Sequence, residues 1–328
     1  MHVKPLRHFS VKVVYNIVAM IDYYFKSLKK KDIQKLTEAR AGVLIVAHEL
    51  NKGDMQTLLS LGYNEALLED ANDYFEVPRF EHEQGVNYLF TRYVVSTSTG
   101  ELSTAPLLIA ISEEHVLCVS NEEPDFLKPY FDYNIEGSFI TTQKVRLVIN
   151  MVEDILRRYD KTIMNIRRTM LKHFKQVEHI DEADIKEFVI LESTLADYLS
   201  ALSPMQTALT QMLRGKNALV LHQEDAGLVE DLIQDMNQLI ESVKGISNTM
   251  QNIRSGHSSI IANKLNITMK RLTAVTIILT IPTIIASLFG MNTWVPLSKG
   301  PISFILILLI ITAISYSVGR FFIKSKWI

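Results

Sequence analysis

Apolar positions change their period along the chain. From residue 20 to about 135 they come in short bursts rich in β-branched and aromatic residues: AGVLIVAHEL, FEVPRFEHE, VNYLFTRYVV, PLLIAIS and HVLCVS. Such bursts predict strands. MIDYYF, from Met20, reads as the start of another. NKGDMQTLLSLG and NEALLEDAND read as helices between them, capped by Asp54 or Asn64 and stopped at Gly62. The segment is therefore expected to be a mixed α+β domain with a sheet of about five strands. No Gly-rich loop stands at a strand-to-helix turn, which argues against a nucleotide site.

From Thr141 the pattern turns helical. One helix is expected over QKVRLVINMVEDILRRYDKTIMNIRRTMLKHF, and a second over ADIKEFVILESTLADYLSALSPMQTALTQML, with Pro204 inside it. RGKNALVLHQ breaks the pattern. From Glu224 to Phe289 proline appears only at Pro282, and the isolated glycines are Gly227, Gly245 and Gly256. This segment predicts one helix of about 100 Å at 1.5 Å per residue.

Charge disappears near the end. Leu272 to Ser298 and Ile302 to Gly319 contain no charged residue. Each run is long enough to cross a bilayer core as a helix, which needs about 20 residues. Lys264, Lys270 and Arg271 precede the first run, and Arg320, Lys324 and Lys326 follow the second, while the connecting loop holds only Lys299. Positive flanks stay inside. The expected topology is a two-span hairpin in the cell membrane with both termini cytoplasmic. The resulting organisation is an N-terminal extension over 1–19, a cytosolic α/β domain over 20–135, and a cytosolic helical domain with a long stalk helix over 136–264. A membrane domain over 265–328 completes it, with spans near 271–290 and 302–322. VKVVYNIVAM resembles a signal core, but Asn16 interrupts it and no small-residue cleavage site follows, so Met20 is an alternative start.

The long helix carries two stripes. Leu232, Met236, Leu239, Val243, Ile246, Met250, Ile253, His257 and Ile260 repeat at alternating spacings of four and three, a heptad seam. Gly245, Asn248, Asn252, Ser255, Ser259, Ala262, Asn266, Met269, Thr273, Thr276, Thr280, Thr283 and Ser287 form a small and polar stripe at the same alternation. In the water-soluble half a solvated face explains it. Inside a membrane, hydroxyls in register need partners or water. They can bond back to the carbonyl four residues earlier, or face a shared axis with other copies. Pro282 frees the carbonyl of Ile278, which a cavity tolerates better than lipid. Neutral oxygens along such a path suit magnesium, which keeps its waters. Gly290 is expected to end the helix in a left-handed turn that places Asn292 at the mouth.

FGMN at the outer end of the first span, preceded by NITMKRLT and IPTIIAS, resembles the Gly-Met-Asn signature of the CorA family of magnesium channels. The basic ending KSKWI and the segment LLEDANDYFEVPRFE are also similar to that family, so the likeness covers roughly 20–328. It implies a funnel-shaped homopentamer whose long helix lines the pore. By position, Gly290, Met291 and Asn292 match the selectivity loop. Asn266, Met269, Leu272, Thr276, Thr280, Thr283 and Ser287 match the pore face, where the polar stripe instead has Thr273 beside Leu272. The resemblance also implies cytosolic magnesium sensing between subunits, at Glu69 or Asp70 with Asp231. The alternative for these carboxylates is a solvated acidic face, and the resemblance favours sensing. Two features depart from the family: the outer loop TWVPLSKGP has no acidic residue, and Thr276 and Thr280 are polar where some relatives are apolar. A dewetting gate would then rest on Met269 and Leu272.

Composition narrows the rest. Net charge is −2, which gives no case for nucleic-acid binding. Cys118 is the single cysteine, so no intrachain disulfide or thiolate metal cluster forms. The nine histidines show no His-x-x-x-His pattern, so neither an enzyme nor an organic cofactor is expected. Magnesium is the expected cargo and regulator. The alternatives are cobalt, nickel, zinc or manganese on the same architecture, or a membrane-anchored coiled-coil sensor that conducts nothing. Zinc-exporting relatives vary the middle residue of the tripeptide, so Met291 leans toward magnesium.

Overall fold

The β-branched bursts do form strands, but the sheet holds seven rather than about five. The computed structural model describes residues 21–29, 32–97, 100–132, 139–174, 182–214, 219, 221–291 and 301–327. The strands are β1 (Ile21–Phe25), β2 (Gln34–Leu36), β3 (Leu44–His48), β4 (Arg79–Glu83), β5 (Val86–Ser96), β6 (Leu102–Ile111) and β7 (Val116–Ser120). Their order is β2-β1-β3-β7-β6-β5-β4. Only β3 and β7 run parallel, with Val46 opposite Cys118. MIDYYF forms β1 as expected, and the strand not expected, β2, pairs with it at one edge, where Tyr24 faces Lys35. QKL is too short to display a period of two.

Two short helices, α1 (Lys52–Ser60) and α2 (Glu65–Asp70), connect β3 to β4. Asn51, not Asp54, caps α1: its side chain accepts from the Gly53 and Asp54 amides at 2.8 and 2.9 Å. Asp54 returns the favour by accepting from the Asn51 amide, closing a capping box. Asn64 caps α2 as expected. Gly62 follows α1 at φ +88°, a conformation that a side chain would strain. Alternate residues of the strands, Val43, Ile45, Tyr88, Phe90, Leu108 and Leu117 among them, bury one sheet face with Leu58, Leu67 and Leu68 of these helices.

After a single short helical turn, α3 (Lys128–Asp132), come α4 (Lys144–Phe174) and α5 (Glu182–Arg214). The opposite sheet residues meet them: Cys118 touches Met151 of α4, and the Thr91 hydroxyl reaches Met205 of α5. Burial pushes the Cys118 thiol up to about 12, so it is an inert packing group. Tyr159 is fully buried and its hydroxyl donates to the Arg92 carbonyl at 3.2 Å. Pro204 sits inside α5 without ending it.

The chain divides into two compact units, one holding the described residues up to His173 with Glu182–Met250, the other holding those from Gln251 onward. The long helix α6 (Gln223–Phe289) is continuous over 67 residues and contains Pro282. Its heptad seam is buried from Leu232 to Ile253, and His257 and Ile260 are half-buried. The last helix is α7 (Pro301–Lys324).

Candidate functional site

Two helices, α6 and α7, carry segments long and apolar enough to cross a membrane. Within their own unit they meet along one stripe each. On α6 the covered positions are Ala274, Ile278, Ile281, Pro282, Ile285 and Phe289; on α7 they are Ile307, Ile311, Ser315, Val318, Gly319 and Phe322. Gly319 allows the close approach: an added Cβ would stand 3.8 Å from Ile278 Cδ1.

The polar stripe lies on the other side of α6. Asn266, Met269, Leu272, Thr273, Thr276, Thr280, Thr283 and Ser287 are all exposed. At about 100° per residue, the centre of this stripe is roughly half a turn from Ala274 and Ile278. Leu272 and Thr273 flank the same face, and both are open. The threonine hydroxyls have local partners. Thr276 Oγ1 donates to the Leu272 carbonyl at 2.8 Å, Thr280 Oγ1 to the Thr276 carbonyl at 2.7 Å, and Thr283 Oγ1 to the Leu279 carbonyl at 3.2 Å. Each hydroxyl thus spends its proton on the helix. What it turns outward is an oxygen with acceptor capacity only. A row of acceptors matches the hydrogens of a hydrated cation.

Gly290 ends α6 differently from the expected left-handed turn. Its amide donates to the carbonyls of Ala286 and Ser287 at 3.0 and 3.2 Å, and its φ is not positive. The last helical turn simply tightens, as the orphan carbonyls at a helix end allow. Met291 is exposed, and Asn292 lies outside the described residues.

The three carboxylates singled out for sensing sit in the first unit. Glu69, near the end of α2, and Asp231, on α6, are exposed and have no side-chain partner among the described residues. Asp70 is engaged: Arg79 Nη2 holds it at 2.7 Å. The same guanidinium also bonds Glu76 and Glu81 and lies over the Phe90 ring at 3.9 Å. Arg79 was not singled out from sequence, where Asp70, Glu76 and Glu81 stand at no regular spacing from it. Among the described residues, no group of three His, Cys, Asp or Glu side chains could hold a metal within one chain.

A mixed sheet domain, one very long helix and a pair of apolar C-terminal helices with a polar stripe define a two-span membrane transporter. The chain belongs to the CorA-like Mg2+ transporter protein family, whose model matches residues 43–324. The cobalt/magnesium transport protein CorA of Methanocaldococcus jannaschii is 25% identical over 288 residues, 82% of this chain and 85% of the relative. The complete structure of the CorA magnesium transporter from that organism aligns at a TM-score of 0.83 and 21% identity, covering 95% of this chain and 100% of that one. The structure of the full-length CmaX protein aligns at 0.74 and 15% identity, covering 92% and 97%. The ZntB cytoplasmic domain from Vibrio parahaemolyticus aligns at 0.62 and 10% identity, covering 75% and 99%. The protein is thus a divalent-cation transporter of the CorA family.

Proposed function

We propose that the protein is a magnesium channel of the cell membrane, working as a homopentamer with both termini in the cytoplasm. The observation that carries this reading is the exposed stripe from Asn266 to Ser287, set opposite the contact with α7. A stripe that one helix pair leaves uncovered needs other copies or water, because the Asn266 amide and the acceptor lone pairs of the hydroxyls find no donor in lipid. Five copies around an axis turn it into a path lined by acceptor oxygens. Magnesium dehydrates reluctantly and travels as a hydrated ion. Its waters donate to Thr276, Thr280 and Thr283, whose own protons are already given to the backbone. Asn292, with Gly290 and Met291, forms the outer selectivity loop. The membrane potential drives influx at about 2.3 kcal/mol per charge per 100 mV, hence roughly 4.6 kcal/mol for a divalent ion.

Magnesium is also the regulator in this reading. Glu69 and Asp231 fit the part, as exposed carboxylates with no side-chain partner among the described residues. Asp70 fits it less well, since binding a cation there means competing with Arg79. Magnesium between neighbouring acidic surfaces would hold the closed state, and its loss would let them repel. Cobalt is a second cargo, supported by the relative whose name carries both metals.

The test is growth of a magnesium-uptake-deficient bacterium at low magnesium, with the wild type beside Asn292→Ala. Rescue by the wild type alone is expected. A well-expressed wild type that gives no rescue, and no cobalt flux, would overturn the reading.

A further inference from the structure

A second site lies in the first unit. Arg92 of β5 is only 9% exposed, yet among the described residues no carboxylate lies within ion-pairing distance of it. Its four hydrogen bonds all go to neutral oxygens. Nε donates to Thr104 Oγ1 at 2.9 Å, Nη1 to the carbonyls of Tyr74 and Glu76 at 2.9 Å each, and Nη2 to the Thr104 carbonyl at 2.8 Å. A guanidinium has five N–H donors. One proton on Nη2 therefore has no acceptor among the described residues. Arg92 also lines a cavity of about 220 Å³ with Tyr74, Ser103, Thr104, Asp197, Ser200 and Glu76, whose carboxylate is held by Arg79. Burial lowers the affinity of the guanidinium for its proton, and Asp197 and Asp73 act on it only from a distance.

A buried charge that lacks a counter-charge is costly, and proteins pair such groups or bring a ligand to them. Hydroxyl donors converge here as well. Thr104 Oγ1 accepts from Arg92 and keeps its own proton to give, and the hydroxyls of Tyr74 and Ser103 lie 3.3 Å apart at the wall. From this we infer that the cavity binds a small oxyanion, a phosphate or carboxylate group, with Arg92 as its counter-charge. The Nη2 proton and the Thr104 and Ser103 hydroxyls supply its hydrogen bonds. A charge-assisted contact of this kind is stronger than one between neutral groups. Asp197 is exposed at the rim and opposes the anion. This site is separate from the stripe on α6 and does not depend on the channel reading.

Inorganic phosphate is the probe, titrated against the detergent-solubilised full chain and followed by phosphorus NMR line broadening. Saturable broadening is expected with the wild type. Arg92→Gln is expected to lose it. Because that buried position could fail to fold, Asp197→Asn is the second variant: its carboxylate is exposed, and its removal is expected to tighten binding about threefold. Acetate that displaces phosphate assigns the site to carboxylates as well; acetate that does not assigns it to phosphate groups alone. Broadening that never saturates, or an affinity unchanged in Asp197→Asn, overturns the inference.

Discussion

Replacing Thr280 by valine removes one oxygen and keeps the shape. In the helix the cost is small, because the Thr280 hydroxyl only bonds back to the Thr276 carbonyl at 2.7 Å, an interaction that adds little to helix stability. The channel reading makes a different demand. A hydrated ion passing Thr280 touches about two hydroxyls of the ring at once, and each hydrogen bond it loses is worth about 1 kcal/mol. The barrier then rises by about 2 kcal/mol, roughly a 30-fold fall in flux. The assay is magnesium entry into proteoliposomes loaded with a fluorescent indicator. Thr312 provides the control. On α7 its hydroxyl bonds back to the Leu308 carbonyl at 2.8 Å and it is exposed, so Thr312→Val makes the same chemical change on the other span. Flux in Thr280→Val within twofold of the wild type would refute the reasoning, as would an equal fall in Thr312→Val.

The other predictions concern the first unit. Asp231→Ala combined with Asp70→Ala is expected to abolish the protection from protease that magnesium gives the assembled protein; intact protection would remove these residues from sensing. Arg79→Met strips three carboxylates of their shared cation and uncovers Phe90, and is expected to cost about 1–3 kcal/mol, read as a drop of several degrees in the thermal midpoint. His115 is buried, which lowers its pKa below the usual 6.5 despite Glu114 at 3.8 Å, while Lys144 nearby lowers it further. The unfolded chain therefore takes up a proton near pH 6.5 that the folded chain refuses until lower pH, so stability falls as pH drops from 7.5 to 5.5. His115→Gln is expected to flatten that dependence in thermal unfolding over this range, whereas an unchanged slope would assign it elsewhere.

Long elements were legible because their signals repeat. The seam from Leu232 to Ile253 shows three heptads before any contact is known, and every member is buried. The bounds of α4, α5 and α6 follow the periodic segments to within a residue or so at each end. Short features were not legible. QKL offers three residues to a period of two, so the β2 edge was missed. At the start of α1 both Asn51 and Asp54 are capping residue types, and only the hydrogen-bond directions separate cap from N3 partner. The polar stripe was visible as spacing, but its choice between back-bonding and facing outward was a false alternative, since the hydroxyl proton does one and the oxygen does the other. Arg79 and Arg92 were invisible as a class. Nothing in the neighbourhood of an arginine along the chain tells whether its partners are three carboxylates or four neutral oxygens; strand register decides it, by setting Arg79 across from Phe90 and Arg92 diagonal to Thr104.

The most direct measurement is magnesium flux into liposomes holding the purified protein, at a series of imposed potentials, for the wild type and Asn292→Ala. Conduction through a shared polar path predicts entry that grows as the interior becomes more negative, and a fall of at least about tenfold in the variant, the loss of roughly 1.4 kcal/mol at the loop. Entry that ignores the potential, or a variant that conducts as well as the wild type, would contradict it.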